Sequence, residues 1–467
     1  MKKFLLVIPL LGMLWTSCKK QDQLPTSQNL TETGSKLKAK SARDGVWDVL
    51  GYGYDVTGEY ANSNSTTYQV IDVARLYAAD ASRVITNLNT TQNSVFAFGQ
   101  DAQDYSSSLS ANLKATAGFS LFKGSITAAY SNSSSFSSKY IYGSYNLLMQ
   151  QKELKFNGVP SYLQNYLTPT FVYDLTYLTP QQIVQQYGAF VLSDIMLGAK
   201  LEVTYQSETS SSDRKSAASA GLDASVGTVF SINASVNSNH AQSSSNFNQY
   251  LHFLTHGGDP TKSITSTTIS FTSSTPTVDY GAWQASTNLQ NAELVDIKYD
   301  GLISIDQLIP DPSLAQAVHD YIYNTYLPNN QVTVSYQSSV LYRCYNVNND
   351  DHMLITNTSE VSGLSNWRIE GLFGHIYSDN SKPGVKPLRR FNLSNGYHFF
   401  TTDIYEYPSG ASFEGTVGYV DGSYVAGELP IYRYSRGGEH MYANTYNELY
   451  GGINGWVYEG IIGYIQP

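Results

Sequence analysis

Charged residues are scarce in this sequence, and so are cysteines. Of 467 residues only 14% are Asp, Glu, Lys or Arg, against roughly a quarter in an average soluble protein. The formal net charge is -10, so the chain lacks the basic surface that neutralises phosphates, and we expect no nucleic-acid partner. With two cysteines, Cys18 and Cys344, a disulfide framework is excluded. Ser, Thr, Asn, Gln and Tyr carry the polarity instead, which is typical of β-rich extracellular proteins.

The N-terminal segment is too short to be a membrane-spanning helix. Two lysines precede an apolar stretch interrupted by Pro9, which predicts a signal peptide over residues 1–17. The following LWTSC resembles a bacterial lipobox. That resemblance predicts lipidation of Cys18 and a place in the cell outer membrane, or release to the extracellular space; an unlipidated secretory signal is the alternative. Residues 18–45 contain few apolar side chains and are predicted to form a disordered tether.

Proline is also missing from residues 181–259, and this interval contains a long alternation of apolar and polar residues. From residue 218 to 236, which we call the second run, every even position is apolar except Thr228. An ordinary strand has about five or six residues, whereas a strand that spans a bilayer within a β-barrel has about 9–11. The second run is therefore predicted to insert into a membrane through Leu222, Val226, Phe230, Ile232 and Val236.

A first run lies earlier in the chain, at residues 109–121, where the odd positions are apolar and the even positions are polar. Its phase slips at Phe122 and Lys123, after which the apolar groups fall on even positions up to Tyr130. A strand, a short turn and a returning strand would produce this pattern. The residues predicted to insert are Leu109, Leu113, Ala117, Phe119, Leu121 and Ile126.

Both runs satisfy a helical period as well as a strand period, because apolar residues also recur every three or four positions. Each run can therefore pack as an amphipathic helix on a soluble monomer and refold later as a strand. Two hairpins cannot close a barrel, which needs at least about eight strands, but a ring of chains that each donate two hairpins can. The alternative is a pair of ordinary strands or surface helices that never contact lipid.

Residues 333–467 contain three repeats. Each has an Arg, then a His, then a Glu eight residues after the His, and each ends in E-G-x-x-G. The recurring residues are Arg343, His352, Glu360, Arg390, His398, Glu406, Arg433, His440 and Glu448. Such repeats predict an all-β, pseudo-threefold, β-trefoil-like domain, with a small propeller or an irregular barrel as the alternative. We expect the recurring residues to build this scaffold; sugar binding by exposed aromatic and polar side chains is the alternative.

Motifs of catalysis are missing too. The sequence has no G-x-S-x-G, no H-E-x-x-H and no P-loop, and its acidic residues are thinly spread. The three repeat histidines have no neighbouring ligands at the spacing of a tetrahedral site. We therefore expect no enzyme activity, no cofactor and no metal.

Between the two runs, QQYGAFVLSDIMLGAKLEV resembles the signature of the membrane attack complex/perforin (MACPF) superfamily, Y-G-T-H-[FY] followed after six residues by G-G. Phe190 and Ala199 are among the departures from it. THGGDP resembles the loop after the family's second hairpin, and the two runs fall where the family places its membrane-inserting helical clusters. The resemblance assigns residues 46–332 to this domain. The matching positions are Tyr187, Gly188, Gly198, Gly257 and Gly258.

The resemblance implies an α+β fold in which a bent central antiparallel sheet is flanked by helix clusters that unfurl into hairpins. It also implies a homo-oligomeric ring on a target membrane, with lipid or a surface glycan as the partner. The C-terminal repeats resemble a tandem unit of unknown function in secreted bacterial proteins, and they would choose the target envelope. We therefore expect an antimicrobial pore-forming protein of the bacterial cell surface; a non-lytic adhesin or glycan-binding lipoprotein of the same fold is the alternative.

Overall fold

The computed structural model describes residues 45–130, 136–232, 240–271 and 276–467. The strands before residue 333 are β1 (Tyr52–Tyr54), β2 (Thr66–Gln69), β3 (Val84–Asn87), β4 (Thr91–Gly99), β5 (Tyr140–Phe156), β6 (Phe190–Leu192), β7 (Asp194–Thr209), β8 (Asn246–His256), β9 (Thr267–Ser270), β10 (Glu293–Ile297) and β11 (Leu302–Ser304). The helices are α1 (Val73–Ala79), α2 (Ala102–Ala111), α3 (Lys123–Ala129), α4 (Pro160–Leu163), α5 (Pro169–Asp174), α6 (Pro180–Tyr187), α7 (Arg214–Phe230), α8 (Gly281–Gln284), α9 (Pro312–Tyr321) and α10 (Leu327–Asn329).

Two long strands, β5 and β7, form the centre of an antiparallel sheet. Strands β3 and β4 both pair with the outer edge of β5, one with each half of it. Strands β10 and β8 divide the outer edge of β7 in the same way, and β9 pairs with β8. The sheet therefore has the order β4-β5-β7-β8-β9 at one end and β3-β5-β7-β10 at the other.

The two ends of this sheet meet at a bend. A β-bulge shifts the register of β5 and β7 between Gln150 and Lys152, and Gly198 lies opposite Gln150. A Cβ atom at Gly198 would overlap the carbonyl oxygen of Met149, so this close approach of two backbones requires glycine.

The sheet has one polar and one apolar face, because successive side chains of a strand point to opposite sides. Along β7, the residues at 200, 202, 204 and 206 are Lys, Glu, Thr and Gln, and this polar face is covered by α2 and α3. There the rings of Tyr105 and Tyr142 stack 5.8 Å apart, and the Tyr130 hydroxyl donates to the carbonyl oxygen of Thr204 at 2.7 Å. On the apolar face, Leu201 and its neighbours pack against α7 in a separate core cluster.

A smaller four-stranded sheet, with the order β11-β6-β1-β2, lies beyond the bend. The main hydrophobic core of the chain joins this sheet to the first-run segment and to α9. Helix α9 closes this part of the chain: it continues through a π-helical turn, Ile322–Tyr326, and ends in α10.

Residues 333–467 form an all-β domain of three units, each made of three strands. The first strand of each unit pairs with both other strands of that unit. The third strands also contact one another, through Tyr377 with Tyr419 and through Asp421 with Tyr464. The strands are β12 (Ser338–Asn346), β13 (His352–Ile355), β14 (Trp367–Tyr377), β15 (Val385–Asn392), β16 (His398–Thr401), β17 (Ser412–Asp421), β18 (Leu429–Arg436), β19 (Glu439–Ala443) and β20 (Val457–Ile465).

Candidate functional site

Both runs leave the central sheet at the same end. The first run connects β4 to β5, and the second connects β7 to β8. At that end Gly99 pairs with Tyr142, and Thr209 pairs with Asn246. Each run therefore joins two neighbouring antiparallel strands, as a hairpin connection does.

The first run, all of whose residues the structure describes, contains short helical segments and turns here and no strand, so its expected strand, turn and returning strand are wrong for this state. One unbroken helix is wrong as well, because α2 ends at Ala111 and is followed by a 3-10 turn, Lys114–Thr116, and by α3. The helix is interrupted because its buried residues follow the shape of the core and do not form one continuous stripe along a single helix. Leu109, Leu113, Leu121 and Ile126 are buried in the main core, Phe119 is half-buried, and Ala117 is exposed.

Residues 218–230 of the second run lie in the continuous helix α7, which is the helical alternative and not the strand. Its apolar residues that recur every four positions are buried against the apolar face, and they include Leu222, Val226 and Phe230. Ile232 packs at the edge of the same cluster. Val236 lies outside the described residues. Helical burial of one stripe thus decides the conformation of a sequence that fits both periods.

A few polar anchors hold α7 at its two ends. The Arg214 guanidinium donates to the carbonyl oxygens of Gln100, Ser138 and Tyr140 at 2.9, 2.5 and 3.1 Å, and burial lowers its pKa. At the far end, the Val278 amide donates to the Val229 carbonyl oxygen at 2.7 Å. The sequence shows Arg214 in a charged cluster before the second run and leaves open whether this cluster marks a sheet-proximal end or a loop; its role was not predictable because its partners are main-chain atoms that leave no pattern in the sequence.

A bulge in β8 provides the third anchor. Strand β8 pairs regularly with β7 up to Tyr250, opposite Gln206, and then shifts by one residue. Asn248, inside the bulge, has φ 50°, a left-handed conformation that Asn adopts more readily than most residues. The shift turns the Asn246 side chain toward α7, where its amide donates to the Ala217 carbonyl oxygen at 2.8 Å.

The residues of the family signature lie in two places. The Tyr187 hydroxyl donates to the Asp174 carboxylate at 2.6 Å, in a buried position, and Gly188 ends α6 with φ 77° against the backbone of Tyr54. At the bend, a Cβ atom at Gly257 would overlap the Gly198 carbonyl oxygen. The neighbouring Gly258 has φ 73°.

The repeat arginines connect neighbouring units of the C-terminal domain. Arg390 contacts Glu414 of its own unit at 2.9 Å and Glu360 of the preceding unit at 2.8 Å. Arg343 of the first unit contacts Glu448 of the third, so the ion pairs close on themselves. The remaining pairs are Arg343–Glu370, Arg433–Glu406 and Arg433–Glu459, at 2.6, 2.9 and 2.7 Å.

The repeat histidines also link neighbouring units. His398 Nδ1 lies 2.6 Å from Asp351 of the first unit, and His352 Nδ1 lies 2.7 Å from Glu439 of the third. Sequence analysis missed Asp351 and Glu439, although each directly precedes a repeat histidine. Tyr397 occupies that position in the second unit. Among the described residues, the buried Nδ1 atom of His440 accordingly has no hydrogen-bond partner. Burial lowers the pKa of His440.

Neither a metal cluster nor a membrane-spanning helix is found among the described residues. In the part of the chain that the structure describes, no group of three His, Cys, Asp or Glu residues is placed to hold a metal ion. Over the same residues, no helix combines the length and the hydrophobicity needed to cross a bilayer.

A bent antiparallel sheet whose two hairpin connections are folded into helical segments at one end defines the perforin-like class of proteins. The sequence matches the MAC/Perforin domain over residues 34–331. The chain therefore belongs to the MAC/Perforin family. Residues 317–411 and 340–466 match a domain of unknown function, DUF5648.

A solved structure supports this fold. A Bacteroides thetaiotaomicron protein with a MAC/Perforin domain is 18% identical and has a TM-score of 0.51, over 69% of this chain and 68% of that one. GNIP1Aa from Chromobacterium piscinae is 15% identical, with a TM-score of 0.49, over 83% and 72% of the two chains. No curated protein matches the sequence.

Proposed function

We propose that this protein forms pores: chains assemble into a ring on a target membrane, and each inserts its two runs as β-hairpins. Lipidation of Cys18 would hold the protein at the bacterial outer membrane until it acts there or is released. Competing bacteria are the proposed target. The action needs no catalytic step and no cofactor.

The observation that carries the proposal is the phase of the first run relative to the sheet. Gly99 pairs with Tyr142 on the polar face, so odd residues stay on that side if β4 is extended. The odd residues of 109–121 are the apolar ones. On the returning strand, even residues lie on that side. From Lys123 to Ala128 the odd residues are Lys, Ser and Thr, and the even ones are Gly, Ile and Ala.

The register of β4 and β5 also fixes where an extended hairpin would turn. In an antiparallel pair, the numbers of two opposite residues have a constant sum as long as the register does not change. For β4 and β5 this sum is 241 along the whole ladder, from Thr91 with Gln150 to Gly99 with Tyr142. Continued outward, that register places Phe119 opposite Phe122 and the turn at 120–121. The sequence changes phase at Phe122 and Lys123, next to this turn. An extended first hairpin would thus have one apolar and one polar side along both strands.

The second run follows strand β7, so the side of the sheet on which each of its residues would lie can be read from β7 in the same way. Gln206 pairs with Tyr142, on the polar face, so even residues stay on that side. From 218 to 226 the even residues are apolar and the odd ones are polar or Gly. Three strand segments thus bring their apolar side chains to one side, as a pore wall between lipid and water requires.

The C-terminal domain is the proposed targeting module, and we propose that its three units are related by a trefoil-like pseudo-threefold axis. The residue before the Glu of each E-G-x-x-G is exposed and apolar or aromatic: Ile369, Phe413 and Tyr458. Aromatic faces beside carboxylates and guanidinium groups suit contacts with sugar rings and hydroxyls. A surface glycan is therefore the proposed ligand of this module.

A disulfide lock tests hairpin release. A Cβ atom at Gly143 would lie 3.3 Å from Leu222 Cβ, close to the roughly 3.5–4.5 Å between the Cβ atoms of a disulfide. The double variant Gly143→Cys/Leu222→Cys would fix α7 to β5. We expect the oxidised variant not to release calcein from target-cell lipid vesicles, and we expect reduction to restore release.

The two single variants and the reduced double variant are the controls for packing changes. Equal release by the oxidised and reduced forms would contradict hairpin insertion. If no form releases calcein although the protein binds target cells, the adhesin alternative is correct.

A further inference from the structure

Strands β7 and β8, which flank the second run, pair with each other in two different registers. From Lys200 with His256 to Gln206 with Tyr250, paired residues of β7 and β8 sum to 456. Beyond the bulge, Glu208 pairs with Phe247 and Thr209 with Asn246, and the sum is 455. A change of one residue exchanges the two sides of a strand.

Only one of these registers suits a membrane-inserted second hairpin. Under the bulged register, odd residues of the returning strand would share a side with Val226, and Ser231 would face lipid. Under the regular register, even residues share that side, so Phe230 lies opposite Val226 and Ile232 lies opposite Ala224. The even positions of the returning half are the apolar ones up to Val236.

We propose that the bulge around Asn248 is a register switch: it is present in the soluble form and straightens when the second run inserts. This rests on the proposed pore formation and adds that β8 shifts by one residue against β7. The last turn before β8, the 3-10 helix His240–Ser245, must then become strand.

The same shift releases α7. In the bulged register Asn246 lies opposite Thr209, and its amide group reaches Ala217 and the Tyr205 hydroxyl, at 2.8 and 3.2 Å. In the regular register Asn246 lies opposite Ser210, and its side chain points to the other face of the sheet. Straightening the strand therefore breaks both contacts to the apolar face, so the switch and the release of the helix are coupled.

The φ of 50° at Asn248 makes the switch sensitive to the residue at that position. Left-handed backbone is tolerated by Asn, is free of strain for Gly, and is strongly disfavoured for β-branched residues. We expect Asn248→Val to speed calcein release and to lower the melting temperature of the soluble form, and Asn248→Gly to slow release.

Two disulfides one residue apart test the inference directly. In the soluble form the Ser210 amide donates to the Ser245 carbonyl oxygen at 3.1 Å, which is the bulged register. The regular register instead places Ser211 opposite Ser245. The variants are Ser210→Cys/Ser245→Cys and Ser211→Cys/Ser245→Cys, oxidised either in water or after addition to vesicles of phosphatidylethanolamine and phosphatidylglycerol, with calcein release as the readout.

We expect the 210–245 disulfide to form in water and to reduce release at least tenfold until it is reduced. The 211–245 disulfide should form on vesicles, within assembled rings, and leave release unchanged. Wild-type release by the locked 210–245 form, or rings that still cross-link only at 210–245, would overturn the register switch while pore formation stands. If wild-type protein releases no calcein, pore formation on these lipids and the switch are both refuted.

Discussion

Ala117 offers the sharpest test of which side of the first run meets lipid. It is exposed in the folded chain, between the 3-10 turn and α3, so Ala117→Arg should change the free energy of unfolding by no more than about 0.5 kcal/mol. In the extended hairpin, 117 is an odd position three residues before the turn at 120–121, on the apolar side. There an Arg side chain costs roughly 2–4 kcal/mol at the bilayer midplane and less near the interfaces.

Because 117 lies near the turn and so near the far interface, the cost is about 1 kcal/mol, which corresponds to roughly a fivefold weaker insertion per chain, and every chain of a ring carries it. We expect Ala117→Arg to reduce calcein release at least tenfold while its melting temperature stays at the wild-type value. Asn112→Arg is the matched control, because Asn112 is also exposed but occupies an even position that would face water in the pore. Wild-type release by Ala117→Arg, or equal loss in both variants, would refute the phase reasoning.

Three further changes test the scaffold. Gly198→Ala should destabilise the fold by about 3 kcal/mol, because a Cβ atom there overlaps backbone; thermal unfolding measures this, and a wild-type melting temperature would contradict the bend. Arg390→Met should cost about 1 kcal/mol by removing the half-buried guanidinium that joins Glu360 to Glu414, whereas the exposed Arg368→Met should cost almost nothing in the same melts. Burial, then the hydrogen bond to Asp421, raises the pKa of Glu428 to about 7. The stability that its protonated form contributes is therefore lost as pH rises from about 4.5 to 7, so Glu428→Gln should gain melting temperature relative to wild type over that range; parallel curves would exclude this.

The sequence predicted the location of the two runs better than their conformation. Their alternation is visible in the residue types, and under the proposed function it separates the lipid-facing from the water-facing positions of an inserted strand. The soluble conformation of 109–130 could not be read in the same way. Both periods fit the first run, and the break after Ala111 follows from packing on a sheet that is far away in the sequence.

The glycines of the signature were found by resemblance, and their physical roles needed the structure. The overlap that a Cβ atom at Gly198 would produce depends on Met149, almost fifty residues away. The anchors of α7 were missed for a related reason, since Arg214 binds main-chain oxygens. The bulge at Asn248 is a one-residue change of register that becomes visible only when two paired strands are counted together.

The ion pair between Arg343 and Glu448 has a consequence for biosynthesis. The first unit of the C-terminal domain meets one of its glutamates only when the third unit has been made, more than a hundred residues later. Folding in order of synthesis, one unit after another, would leave Arg343 with only the glutamate of its own unit, Glu370, until then. The ring of ion pairs between the three units therefore closes only when nearly the whole domain has been made.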